Sequence, residues 1–99
     1  MRQLLDDAKA WIEYKAYGPD EIAVRFHHRL VQIHPFPNGN GRHSRLMADL
    51  LVMQLGRERF SWGSASRLHD AGALRRRYIT ALQAADNHDI GPLLAFARS

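Results

Sequence analysis

An all-α fold is the first expectation from this sequence, and three observations carry it. Apolar residues recur at helical spacing in successive stretches. The punctuation between those stretches is Gly, Pro, Asn and Ser. Only one short piece, Phe60-Ser61-Trp62, alternates as an extended segment does. The 99 residues suit a single domain, 1–99, long enough for one core but small for an enzyme. With 45% hydrophobic residues the chain has the apolar content of a globular protein, which argues against disorder.

The first helix is expected over 2–16, with Leu4, Leu5, Ala8, Trp11, Ile12 and Lys15 on one stripe and Asp6 and Asp7 early. Trp11 belongs to the core on this reading. Tyr17-Gly18-Pro19 interrupts the pattern. Pro19 suits the first position of a second helix, 19–33, with Asp20 and Glu21 in its first turn. Ile22, Phe26, Leu30 and Ile33 form its buried stripe. His27 and His28 lie on this helix, but no carboxylate completes a metal-ligand spacing with them. They read as structural histidines, partly exposed or hydrogen-bonded.

A third helix, 42–55, is apolar nearly all round, with Leu46, Met47, Leu50, Leu51, Val52, Met53 and Leu55. Such a helix is expected at the buried centre of a bundle, with Met47 and Met53 as core fillers. Gly56 marks its end. A fourth helix is expected to begin between Ser66 and Asp70, with Leu74, Tyr78, Leu82 and Ala85 on one face and Arg75, Arg76 and Arg77 on a solvated surface. Asn87-His88-Asp89 breaks it, and Pro92 opens a short last helix that packs through Leu93, Leu94 and Phe96. No repeat, low-complexity segment or second domain is visible.

Between the second and third helices runs His34-Pro35-Phe36-Pro37-Asn38-Gly39-Asn40-Gly41-Arg42-His43-Ser44-Arg45. Pro35 biases His34 away from helical backbone, so the second helix is expected to stop at Ile33. Gly39 and Gly41 permit positive φ, and Asn38 and Asn40 tolerate it. Successive N–H groups in such a turn converge into an anion-binding nest at a helix N-terminus. As four residues alone, Asn-Gly-Asn-Gly is equally a plain turn, with Asn40 as N-cap. The flanks tip the reading. Arg42, His43 and Arg45 crowd a first turn where the dipole disfavours cations and where Asp or Glu is usual. A polyphosphate matches that charge better than a single carboxylate.

These residues resemble the signature of the Fic (Fic/Doc) domain, His-Pro-Phe-x-x-Gly-Asn-Gly-Arg followed by x-x-Arg, matched at His34, Phe36, Gly39, Asn40, Gly41, Arg42 and Arg45. Weaker resemblance extends from about Gly18 to the C-terminus. The whole chain is similar to the C-terminal part of the bacterial family called mobile mystery protein B, which implies a mobile-element setting and a longer protein. The resemblance implies a compact Fic-like helical bundle with the motif loop between two central helices, and transfer of AMP from ATP to a protein Ser, Thr or Tyr hydroxyl. It assigns His34 as the general base, a role that an imidazole suits at neutral pH. It makes Phe36 the apolar anchor of the loop, and Gly39, Asn40 and Gly41 the phosphate cradle. Arg42 and Arg45 hold the terminal phosphates, as a bidentate guanidinium can; Arg42 also stabilises developing charge.

One position departs from the pattern. Asn38 stands where AMP-transferring members carry Asp or Glu, the carboxylate that helps hold Mg²⁺. Asn offers only a neutral carbonyl oxygen, a weaker ligand for a hard cation. A nucleotide-binding module without transfer is therefore the alternative reading. Phosphate transfer of the Doc type is a further one, although Gly-Asn-Gly-Arg differs from the Ala-Asn-Lys-Arg of that type. No flap hairpin is found upstream of His34. None of Glu13, Glu21 and Glu58 has Ser or Thr four residues before it, so the inhibitory motif of many Fic proteins is not found. Target choice and regulation are then expected from other residues or from a regulatory, antitoxin-like partner.

The remaining composition narrows the setting. There is no cysteine, hence no disulfide or thiolate site. No stretch spans a bilayer and no signal peptide is visible, so the cytoplasm is expected. The net charge of +4 suits anionic ligands. It comes with no long basic tail and no aromatic-studded basic strand, so nucleic acid is not the expected partner.

Overall fold

A computed structural model describes residues 2–33, 40–64 and 71–99. The described residues form five α-helices and no strand: α1 (Arg2–Glu13), α2 (Pro19–Ile33), α3 (Asn40–Gln54), α4 (Ala71–Asp86) and α5 (Gly91–Ala97). The fold class is all-α. Two compact units divide the chain, Met1–Arg59 and Phe60–Ser99.

In the first unit, Leu4 and Ala8 of α1 meet Phe26 and Leu30 of α2, and Trp11, Met47 and Leu51 pack against that cluster. Each large side chain buried there is worth roughly 1.5–3 kcal/mol. Arg29 of α2 donates to the Asp7 carboxylate of α1, and Gln3 Nε2 donates to the same carboxylate at 3.0 Å. The Arg29 bond holds the Asp7 pKa below the ordinary carboxylate range. Both partners are partly exposed, so the pair orients α1 on α2 more than it stabilises them. α2 opens as expected, with Pro19 in front and Asp20 and Glu21 in the first turn; Arg25 pairs with Glu21 at 3.0 Å one turn later.

Three helices end in the same way, and two of those ends were legible. A left-handed residue closes each: Lys15 (φ 50°) after α1, Gly56 (φ 89°) after α3 and His88 (φ 68°) after α4. The N–H groups of Ala16, Arg57 and Asp89 donate back to Trp11, Val52 and Ala84 at 3.0, 3.1 and 2.9 Å. Those of Lys15, Gly56 and His88 donate to Ile12, Met53 and Ala85 at 3.3, 3.0 and 3.0 Å. This paired pattern is the Schellman motif. Helix 2–16 therefore ends at Glu13, earlier than expected, because a lysine takes a position that glycine usually announces.

The third helix also corrects an expectation. Its buried stripe is Ser44, Ala48 and Val52 rather than the large residues. Met47 and Leu51 are half-buried, whereas Leu46, Leu50 and Met53 are 55%, 50% and 52% exposed. On α1, Leu5 and Ile12 are likewise exposed. Small residues let two helix backbones approach closely, and α3 makes its most extensive helix contact with α2.

In the second unit, Phe96 of α5 is the buried centre, against Tyr78 of α4 at 5.5 Å between rings. The N–H groups of Ser61 and Trp62 both donate to Ala97 O at 3.0 Å, and Ser61 Oγ donates to Ser99 O at 2.9 Å. The expected extended piece forms no strand: Phe60 and Ser61 are irregular and Trp62 (φ 51°) opens a turn; Phe60 is buried and Arg98 lies over its ring at 4.4 Å. The last helix starts at Gly91, one residue before Pro92, and buries Leu93 and Phe96 with Leu94 half-buried. The start expected between Ser66 and Asp70 lies outside the described residues.

Two glycines with similar backbone separate two costs. Nothing lies within 4 Å of a Cβ built on Gly56. A Cβ on Gly63 (φ 85°) meets Phe96 Cε1 at 2.9 Å and Leu74 Cδ2 at 3.0 Å. Gly56→Ala should therefore cost about 1 kcal/mol from backbone conformation alone. Gly63→Ala should cost roughly 2–4 kcal/mol, because overpacking adds to it. Equilibrium denaturation of both variants checks the order; equal losses would contradict it.

Candidate active site

The motif straddles the start of α3. His34, Phe36, Asn38 and Gly39 lie outside the described residues, so their expected roles rest on sequence. Asn40 and Gly41 are the first residues of α3, two positions earlier than expected. Gly41 is thus helical and does not supply the positive φ that the turn reading allowed. The anion-binding capacity shifts accordingly. The first four N–H groups of a helix have no intrahelical acceptor, and here they include those of Asn40, Gly41 and Arg42.

Arg42 is exposed and Arg45 half-buried, three residues apart and so on one helix face. The first turn carries no acidic residue. The unsatisfied N–H groups carry about half a positive charge, and the Arg42 guanidinium in the same turn adds to it. That surplus is unfavourable in the free protein and is relieved by an anion with several acceptors.

Directly beneath lies a polar element of the core. His27 of α2 and Ser44 of α3 are both 0% exposed. The His27 ring donates a hydrogen bond to the Ser44 backbone. Burial lowers the His27 pKa to about 4, the bond to Ser44 opposes the shift, and the charges of Arg45 and His28 add to it. The ring is therefore neutral at pH 7. Of the two readings open for this histidine, hydrogen-bonded holds and partly exposed does not; His28 is half-buried. Ser44 went unnoticed in the sequence, although Ser44, Ala48 and Val52 stand at successive i, i+4 positions.

The donor set bears on Mg²⁺. No group of three His, Asp or Glu side chains converges among the described residues. The described part of the motif offers guanidinium, imidazole and backbone N–H, which suit phosphate oxygens and not a hard cation. Asn38, the expected ligand, lies outside it.

Buried His27 makes stability depend on pH. The unfolded chain binds its proton near 6.5 and the folded chain near 4. Between those values the unfolded state holds more protons, so stability is full above pH 6.5 and falls as pH drops toward 4. The gap corresponds to about 3 kcal/mol. Asp7, lowered from the ordinary range, acts in the same direction but at lower pH. Denaturation at pH 7 and pH 4 should therefore show a larger acid loss in the wild type than in His27→Gln. Equal losses in the two proteins would contradict a buried neutral imidazole.

Comparison with known proteins places this motif among relatives. The profile of the Fic/DOC family matches residues 1–52. Protein adenylyltransferase Fic of Aedes aegypti is 33% identical over 96 residues, which cover 94% of this chain and 18% of the relative. The proteins of the same name from Culex quinquefasciatus and Nematostella vectensis are 37% and 36% identical over 78 residues, covering 79% of this chain and 14% and 16% of those relatives. The chain spans less than a fifth of the length of these curated relatives. The family match takes in both α2 and the whole motif that opens α3, and by it the chain belongs to the Fic/DOC family.

Proposed function

We propose that this chain carries the nucleotide site of a protein adenylyltransferase, which moves AMP from ATP to a Ser, Thr or Tyr hydroxyl of a target protein. The observation that carries the reading is the placement of Arg42 and Arg45 three residues apart at the N-terminal end of α3, whose first turn holds no acidic residue. Relatives named protein adenylyltransferase support it. The reading treats residues 1–99 as one Fic-like domain of a longer protein, with target choice and regulation supplied by other residues or a partner. A bacterial setting on a mobile element rests on the resemblance to mobile mystery protein B alone. No helix among the described residues is long and apolar enough to cross a membrane.

In this mechanism His34 takes the proton from the target hydroxyl as its oxygen attacks the α-phosphorus of ATP. The bond from that phosphorus to the bridging oxygen breaks, and pyrophosphate leaves with the electron pair. Backbone N–H groups of Gly39, Asn40 and Gly41 hold the phosphates, and Arg42 and Arg45 neutralise charge on the leaving group. Phe36 anchors the loop. When bound, Mg²⁺ would offset phosphate charge; Asn38 is its candidate ligand, and no step here is routed through it. Asn38 also favours a second reading, a module that binds ATP without transfer, because it is neutral where a metal-binding acid is expected.

ATP labelled at the α or the γ phosphate decides between them. Adenylyl transfer predicts α label on protein, abolished by His34→Ala with ATP affinity nearly unchanged. Arg42→Ala should weaken ATP binding roughly tenfold to a hundredfold, the scale of a hydrogen bond to a charged group. Label from the γ position would instead indicate phosphate transfer, and ATP binding with no label would support the module. Unchanged affinity in Arg42→Ala would remove it from the phosphate site.

A further inference from the structure

His27 is an odd occupant for a core. It is fully buried, and burial pushes its charge away. An apolar side chain would fill the same space without desolvating a polar ring. What the imidazole adds is a hydrogen bond from α2 to the backbone of Ser44. Ser44 lies two residues after Arg42 and immediately before Arg45. Its carbonyl has two lone pairs, so it can accept from His27 and still serve its own helix. The bond therefore reaches α3 at the turn that carries both guanidiniums.

The surroundings explain why the donor must be neutral. Arg45 and His28 both disfavour a charge on the ring. A protonated imidazole would add a third positive group behind a turn that already carries Arg42, Arg45 and the helix dipole. Ser44 and Ala48, both fully buried and small, leave room for the ring beside α3.

We propose that His27 is a positioning residue for the phosphate site, its hydrogen bond to the Ser44 backbone fixing the first turns of α3 and thereby the placement of Arg42 and Arg45. The inference rests on the reading of those arginines as phosphate ligands. Side chains that lock a binding group without touching the ligand commonly change affinity by about tenfold to a hundredfold.

The test compares wild type, His27→Leu, which fills the space without a donor, and His27→Gln, which restores an N–H donor. Two quantities are read on the full chain: amide hydrogen exchange over residues 42–48 and ATP affinity by calorimetry. In His27→Leu, exchange over 42–48 should speed up and ATP affinity should fall about tenfold; His27→Gln should recover most of both. Unchanged affinity and exchange in a folded His27→Leu would overturn the proposal. So would a lower melting temperature with affinity intact, which is what simple packing predicts. If the wild type binds no ATP, the phosphate reading fails, and exchange alone decides whether His27 holds the turn. If His27→Leu does not fold, the wild type still decides. A slowly exchanging ring N–H proton of His27, with a nuclear Overhauser contact to Ser44, supports the bond, and its absence overturns it.

Discussion

The structure of the first unit depends on how closely α3 can lie against its neighbours. Ser44, Ala48 and Val52 form its buried stripe, none of them large. That choice brings the backbone of α3 within reach of a ring on α2, and the His27 bond to Ser44 follows from it. A bulkier residue at Ser44 would push the helices apart and break the bond without touching the motif. Packing and site geometry are thus one constraint, set by small side chains at helical spacing.

The same constraint explains the charge arrangement above it. A helix whose first turn is Asn40-Gly41-Arg42-His43, with a guanidinium and no acid, is poorly matched to its own dipole. Core packing holds that turn in place, and a bound polyanion would relieve the mismatch. A neutral His27 fits this scheme, since the site gains a donor beneath it without gaining charge.

Much of this was legible in the sequence, and the failures have physical causes. The limits of α2 followed from Pro19, its acidic first turn and the proline after His34. Gly56 announced the end of α3 and Asn87-His88-Asp89 that of α4, but Lys15 takes the same left-handed position without a compositional signal. The all-apolar look of α3 misled, because hydropathy ranks Leu above Ser and Ala, whereas close helix approach selects the small residues. In the site, an anion ligand was read from the crowding of Arg42, His43 and Arg45, and the phosphate roles of Arg42 and Arg45 come from the Fic resemblance. Ser44 was not read, because a serine beside a basic motif looks like a surface residue until the partner helix is known. His34 to Gly39 fall outside the described residues, so the general base and the loop anchor rest on the motif.

The central claim is that the N-terminal end of α3 is a polyphosphate site built on Arg42 and Arg45. Arginine Nε–H resonances observed during titration with ATP, pyrophosphate and adenosine test it most directly. The account predicts that Arg42 and Arg45 shift with ATP and with pyrophosphate, and stay in place with adenosine. Shifts confined to other arginines, or none with pyrophosphate, would contradict it.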